Sequence, residues 1–286
     1  MRIGIGGHFV ARYGVDEGIR RMAEQGYTNI DYNLCNTEVG LYLLGDNELA
    51  EATEAIKGAL EKYGMTVEQV HGPWRYPPKD ESEEDRAERL EKMTRCMVIA
   101  SLLGAKYMVI HPLMPFGENS PEHPEGVYSI NREHLLRLAD FGASVGVTVC
   151  LENMPFRKHP IHTVEQICGI VEDIDHENLA VCFDTGHANL TGENIGDCVR
   201  RIGKEKLAVL HVHDNCGDAD AHDIVYNGNI DWSEFAAALN DIKYGGVLNF
   251  EVKIARNGDE SDECIKEREA ATIAAAKRLL RELGRE

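Results

Sequence analysis

Short β-rich runs alternate with longer helical patterns along the whole chain, and this alternation is the strongest constraint on its fold. The runs are Ile3–Gly7, Asn29–Leu34, Thr66–Gly72, Tyr107–Pro112, Thr148–Asn153, Ala180–Thr185, Leu207–Asp214 and Val247–Lys253. Amphipathic stretches lie between them. The clearest runs from Glu83 to Gly104, where Leu90, Met93, Met97 and Ala100 recur at helical spacing while Glu84, Arg86, Glu88 and Glu91 fall elsewhere. Asp46–Tyr63, Asn131–Val145, Thr163–Val171, Trp232–Asp241 and Asp262–Leu283 read the same way, with weaker patterns at Asp16–Gln25 and Asn194–Ile202. Gly64, Gly104 and Gly146 stand where left-handed helix stops belong. Strict β-then-α order makes parallel strands with helices outside. Eight units in 286 residues predict a single α/β domain over 1–286, a closed (β/α)8 barrel rather than an open doubly wound sheet. An open sheet would normally carry a phosphate loop. Gly4-Ile5-Gly6-Gly7 lacks the third glycine of a dinucleotide fingerprint, and no G-x-x-x-x-G-K-[ST] occurs.

Composition narrows the partners. The chain carries 30 Lys and Arg against 49 Asp and Glu, a formal net charge of −19. Such a charge repels nucleic acid and anionic membrane at long range, although a local basic patch could still bind either. The eight cysteines are spread out without a C-x-x-C pair, and Cys150 and Cys182 sit inside apolar strands, as reduced core thiols do. The start Met-Arg-Ile-Gly-Ile-Gly-Gly-His has no long apolar h-region and no stretch of 18 apolar residues occurs, which reads as a soluble cytoplasmic protein with no membrane contact.

In a barrel of this kind, chemistry sits at the carboxyl ends of the strands. Those ends carry His8, His71, His111, Glu152, Asp184 with His187, His211 with His213, and Glu251, while the second strand ends near Asn33. Glu152, Asp184, His211 and Glu251 each lie in or beside an apolar strand, where an ionised carboxylate is costly unless paired or bound to a cation. One such acid pairs with Lys or Arg, or caps the next helix, as readily as it binds an ion. Three carboxylates and an imidazole converging on one place favour a divalent metal: Mn²⁺, Co²⁺ or Mg²⁺, or else Zn²⁺.

A second group is His71, His111, His187, Asp220 and His222. Singly, each histidine is a structural group or a substrate contact; together they furnish positions for a second or third metal. His213 shares a strand face with His211, and Lys253 with Glu251. Both are candidates for substrate contact, with Lys253 equally able to neutralise the carboxylates. Trp74 and Tyr76 are candidates for an apolar pocket wall, and Arg157 with Lys158 for meeting an anion or simply facing solvent.

These residues resemble the xylose isomerase-like barrels, a superfamily that includes sugar phosphate isomerases and epimerases and endonuclease IV. The likeness covers nearly the whole chain. It is carried by Val70-His71-Gly72-Pro73, Val109-Ile110-His111-Pro112, Leu151-Glu152-Asn153, Phe183-Asp184-Thr185-Gly186-His187-Ala188-Asn189, His211-Val212-His213-Asp214-Asn215, Asp220-Ala221-His222, Gly228-Asn229-Ile230-Asp231-Trp232 and Phe250-Glu251-Val252. The ketose 3-epimerase branch implies one divalent metal on Glu152, Asp184, His211 and Glu251, with His187 on substrate. That branch also uses an arginine shortly after the seventh-strand histidine, where this chain reads Asn215-Cys216-Gly217-Asp218. Endonuclease IV implies three zinc ions, and His71, His111, Glu152, Asp184, His187, His211, Asp220, His222 and Glu251 match all nine of its ligand positions. The second-strand segment Asp31-Tyr32-Asn33-Leu34 looks more like the sugar enzymes.

The leading expectation is metal-assisted isomerisation or epimerisation of a small sugar through an enediolate, with Glu152 and Glu251 as the acid–base pair. The competing expectation is trinuclear hydrolysis of a phosphodiester at abasic DNA, against which the charge of −19 and the lack of clear basic loops both weigh. A barrel that binds sugar or metal without turnover is the third. The resemblance also implies a homodimer or homotetramer.

Overall fold

A computed structural model describes residues 1–74, 77–255 and 261–285. Eight parallel strands follow one another around a barrel: β1 Arg2–Gly6, β2 Asn29–Asn33, β3 Thr66–His71, β4 Tyr107–Ile110, β5 Thr148–Glu152, β6 Leu179–Asp184, β7 Leu207–His211 and β8 Val247–Phe250. Each pairs with its sequence neighbour from β1 to β7, and β8 pairs with β1. The ring closes between β7 and β8 through a parallel bridge from Val212 to Phe250. Val212 N donates to Asn249 O at 2.8 Å and Glu251 N to Val212 O at 3.2 Å. This is the α/β barrel that the alternation predicts.

The helices α1 His8–Tyr13, α2 Val15–Gln25, α3 Asp46–Tyr63, α4 Glu83–Leu103, α5 Pro124–Val145, α6 Val164–Ile174, α7 Thr185–Thr191, α8 Ile195–Lys206, α9 Trp232–Asp241 and α10 Asp262–Glu282 surround it. Side-chain caps start many of them. Ser82, Thr163, Asn194, Asp231 and Ser261 each accept a hydrogen bond from a backbone N–H of the first turn. Gly64, Gly104 and Gly146 end α3, α4 and α5 in the left-handed conformation, as read from the sequence. Helix α5 begins seven residues earlier than its apolar periodicity suggests, with Pro124 in its first turn, where a missing N–H costs nothing. The short helices α1 and α7 lie inside segments read as strand ends and loops. Neither is long enough to show a periodic stripe.

Side chains alternate between the two faces of each strand. Ile110, Leu151, Phe183 and Leu210 face the helices and join the large apolar core. Val109, Cys150, Cys182 and Val209 face inward and pack with Ala180 as a small core inside the barrel. Two residues further along, on the same face, come His111, Glu152, Asp184 and His211. The inner surface thus changes from apolar to ionisable in one step at the carboxyl ends. All eight cysteines are free thiols. Among the described residues, no helix is long and apolar enough to cross a membrane.

Candidate metal centre and active site

Glu152 lies at the centre, 1 % exposed. Its Oε1 is 2.8 Å from His211 Nδ1, and its Oε2 is 2.9 Å from His111 Nε2 and 3.7 Å from His71 Nε2. Strand register puts Asp184 beside His211, and the closing bridge brings Glu251 Oε2 to 3.3 Å from His211 Nδ1. Ligand atoms of Glu152, Asp184, His211 and Glu251 all lie within 4.8 Å of one another. So do those of His71, Glu152 and His211, and those of His187, His213, Asp220 and His222. The structure therefore gathers all nine candidate ligands into one continuous cluster.

The loops are built to hold these positions. Asn153 extends the β5–β6 pairing past the strands: its Nδ2 donates to Asp184 O at 2.9 Å and its Oδ1 accepts Asp184 N at 2.8 Å. Asp184 caps α7 by accepting His187 N at 2.6 Å, which fixes His187 over the site. Buried Asp214 accepts Tyr226 N at 3.0 Å and Trp232 Nε1 at 2.8 Å, anchoring the loop that carries Asp220 and His222. His222 itself has a left-handed backbone with φ 46, an unfavoured conformation for a histidine that its contacts must sustain. A buried ion pair supports His111: Arg89 Nη1 is 2.6 Å from Asp80 Oδ2, and Arg89 Nη2 donates to His111 O at 3.2 Å.

Three imidazoles share one arrangement, and a fourth reverses it. His71 Nδ1 lies 3.0 Å from Gly72 O, His187 Nδ1 2.8 Å from Asn153 O, and His222 Nδ1 2.9 Å from Glu251 O. Their Nε2 atoms point instead at Glu152 or Asp220. His211 is reversed, with Nε2 at 3.0 Å from Asp31 Oδ2 and Nδ1 towards Glu152. In each case one nitrogen is tied to a fixed acceptor and the other is turned to the carboxylates, as metal-ligating histidines are held.

Electrostatics agree with this geometry. Burial alone would raise the Glu152 and Asp184 pKa values, but neighbouring histidines more than offset it and lower both. Burial opposes charge on His187 and His222 too. The surrounding carboxylates nevertheless raise them to about 10 and about 9. His111 goes the other way: burial outweighs Glu152 and lowers it to about 4. The cluster as a whole attracts positive charge. Glu152 Oε2 is buried without a hydrogen-bond donor in acceptable geometry, although His111 Nε2 stands close by. Carboxylate oxygens and imidazole nitrogens that converge on a shared focus suit a divalent cation.

Two neighbouring cavities border the cluster. One, about 510 Å³, is lined by His71, Trp74, His111, Glu152, Phe156, His187, Asp220, His222 and Glu251 among others. The other, about 530 Å³, lies over β1 and β2 and shares Asn33, His71 and Glu251 with the first. Trp74 thus stands in the wall expected of it, its ring edge-on to His111 at 5.1 Å; Tyr76 lies outside the described residues.

Three expectations change. His213 is fully buried behind Asp184, with Nε2 at 3.0 Å from Asp184 Oδ2 and its ring stacked on His222 at 4.0 Å, so it steadies the site instead of lining the pocket. A Cβ on Gly186 would collide with this ring, which accounts for the glycine between Thr185 and His187. Lys253 Nζ is exposed and donates to the backbone carbonyl of Asp220 at 3.0 Å, not to the carboxylates. Arg157 is held by the carbonyl of Leu190. The sequence assigns no individual role to Asp31, whose partners at Gln69, His211 and Asn249 are far away along the chain.

The model of the xylose isomerase-like TIM barrel family matches residues 19–283, and this chain belongs to that family. An uncharacterized protein of Methanocaldococcus jannaschii is 32% identical over 207 residues, covering 69% of this chain and 68% of its own length. D-psicose 3-epimerase of Agrobacterium fabrum is 27% identical over 150 residues, 52% of this chain and 50% of that protein. A "probable endonuclease 4" of Thermoplasma acidophilum is 25% identical over 251 residues, 79% of this chain and 80% of that protein.

Proposed function

We propose that this chain is a divalent-metal-dependent isomerase or epimerase of a small polyhydroxylated carbonyl compound. The observation that carries this reading is the convergence of Glu152, Asp184, His211 and Glu251 beside a cavity of about 510 Å³, large enough to admit a small sugar. The relationship to D-psicose 3-epimerase supports the substrate class. Glu152, Asp184, His211 and Glu251 would hold the ion: Mn²⁺, Co²⁺, Mg²⁺ or Zn²⁺. A bound divalent ion would stabilise negative charge on the substrate oxygens, without which an α-proton is too weakly acidic to remove.

The chain's own groups divide the remaining work. Glu251 is 31% exposed and lines both cavities, so it can reach a substrate carbon from the β1–β2 side. Glu152 lines only the first cavity and approaches from that side. One takes the proton and the other returns it. His187 orients a hydroxyl, and Trp74 and Phe156 exclude water. The test is a panel of ketoses and aldoses, with and without phosphate, assayed with each ion. Exchange of substrate hydrogen with solvent should accompany turnover; a panel with neither turnover nor exchange rejects the proposal.

A second reading has its own support. His71 and His111 beside Glu152, and His187, Asp220 and His222 on the other flank, are more ligands than one ion needs. Two or three Zn²⁺ and hydrolysis of a phosphodiester at abasic DNA would use them all. Elemental analysis separates the readings. One Mn- or Mg-like ion per chain supports the sugar enzyme, and three zincs with salt-sensitive cleavage of an abasic duplex support the nuclease.

A further inference from the structure

Behind the imidazole of His211, on the edge away from Glu152 and Glu251, the barrel hides another carboxylate. Asp31 on β2 is 4% exposed. Its Oδ2 accepts from Gln69 Nε2 at 3.0 Å and Asn249 Nδ2 at 3.1 Å, and lies 3.0 Å from His211 Nε2. These partners come from β3, β8 and β7, so they meet across the barrel interior. The other oxygen, Oδ1, is buried without a partner. On β1, a Cβ at Gly4 would collide with Asn249 Oδ1, so the missing side chain there makes room for the amide. The interior is therefore apolar beneath β4 to β7 and built from amides around one carboxylate beneath β8 to β3.

We propose that Asp31 is a positioning residue for the metal centre. It holds the His211 tautomer protonated at Nε2, so that Nδ1 turns its lone pair towards Glu152 and Glu251. This rests on the metal reading above. His71, His187 and His222 tie their outer nitrogens to backbone carbonyls, whereas His211 is tied to a carboxylate. Gln69 and Asn249 bring no charge of their own, so the charge of Asp31 acts on the imidazole. An imidazole backed by a carboxylate is a stronger donor to a cation, and loss of such a partner typically weakens metal binding about 10–100-fold. Asp31 belongs to none of the converging ligand groups, which keeps it behind the ligand and not among the ligands.

Chelator-competition titration of the full chain with Mn²⁺, Co²⁺ and Zn²⁺, together with imidazole ¹⁵N spectra of His211, tests the assignment. Asp31→Ala should bind the ion about 10–100-fold more weakly and show mixed His211 tautomers. Asp31→Asn keeps an acceptor oxygen and loses the charge, so it should retain the tautomer and fall between Asp31→Ala and the unsubstituted protein in affinity. Unchanged affinity and tautomer in Asp31→Ala overturn the proposal. Should that variant fail to melt cooperatively, Asp31→Asn decides, and full affinity there overturns it. An unsubstituted protein that takes up none of the three ions defeats the metal reading and this role with it. One that binds an ion regardless of Asp31 defeats this role alone.

Discussion

Glu251 Oε2 lies 3.3 Å from His211 Nδ1, although their strands are the last two of the chain and meet only beyond the end of β7. The approach is enforced by the main chain. Val212, immediately after His211, bonds to both Asn249 and Glu251. Ligand geometry and ring closure are therefore the same contact.

Glu251→Gln should leave the fold intact, because its side chain is 31% exposed and its backbone bonds do not involve the carboxylate. Loss of a positioned acid or base typically costs about 10²–10⁴ in rate. Turnover should fall by that factor while the melting temperature of the metal-free protein stays within a few degrees. Near-normal rates would remove Glu251 from the proton-transfer scheme.

Chelation should destabilise the protein. An ion at about 100 times its Kd contributes roughly 2.7 kcal/mol to the native state. Differential scanning calorimetry with and without a strong chelator should show a drop of several degrees, reversed by adding back the preferred ion. Identical melts in protein verified to have carried the ion would contradict a cluster that binds it in the folded state.

The Asp80–Arg89 pair should be among the costliest to break. Asp80 is fully buried, and its Oδ2 also accepts Met114 N at 2.9 Å. Asp80→Ala strands a buried guanidinium, with an expected loss of about 3–5 kcal/mol. Urea unfolding measures it. A loss below about 1 kcal/mol would show that Arg89 finds water or another acceptor.

The acid limb of stability should carry a histidine signature. Burial lowers His134 to about 3 and His8 to about 4, against 6.5 when unfolded. Between those values the unfolded chain binds protons that the native chain refuses. Stability from these groups is therefore complete above pH 6.5 and declines as pH falls towards 4, by at most about 1.4 kcal/mol per pH unit per histidine. His134 lies on α5 with Nε2 3.3 Å from Met93 Sδ, and belongs to none of the groups that could hold an ion. His134→Gln should flatten the slope in denaturant titrations from pH 6.5 to 4, and an unchanged slope would refute the assignment.

The barrel and the ligand-bearing strand ends were legible because acids and histidines interrupt otherwise apolar β-runs, each beside a residue that must be buried. Glu152 after Val-Cys-Leu and Asp184 after Val-Cys-Phe stand out in any reading. Asp31 does not, because Asn29 and Asn33 flank it and its partners are 38, 180 and 218 positions away. The spacing of His213 and Lys253 correctly indicated a shared strand face, but not that one would be covered and the other exposed. Helices α1 and α7 are one to two turns long, too short for apolar periodicity to register.

The joint between the last two strands has a kinetic corollary. Any intermediate whose eighth strand has yet to dock contains Glu152, Asp184 and His211 but lacks the fourth arm of their cage. Uptake of an ion by that four-residue set should therefore report the final stitch of assembly, and the ion once seated would act as a rivet across the seam.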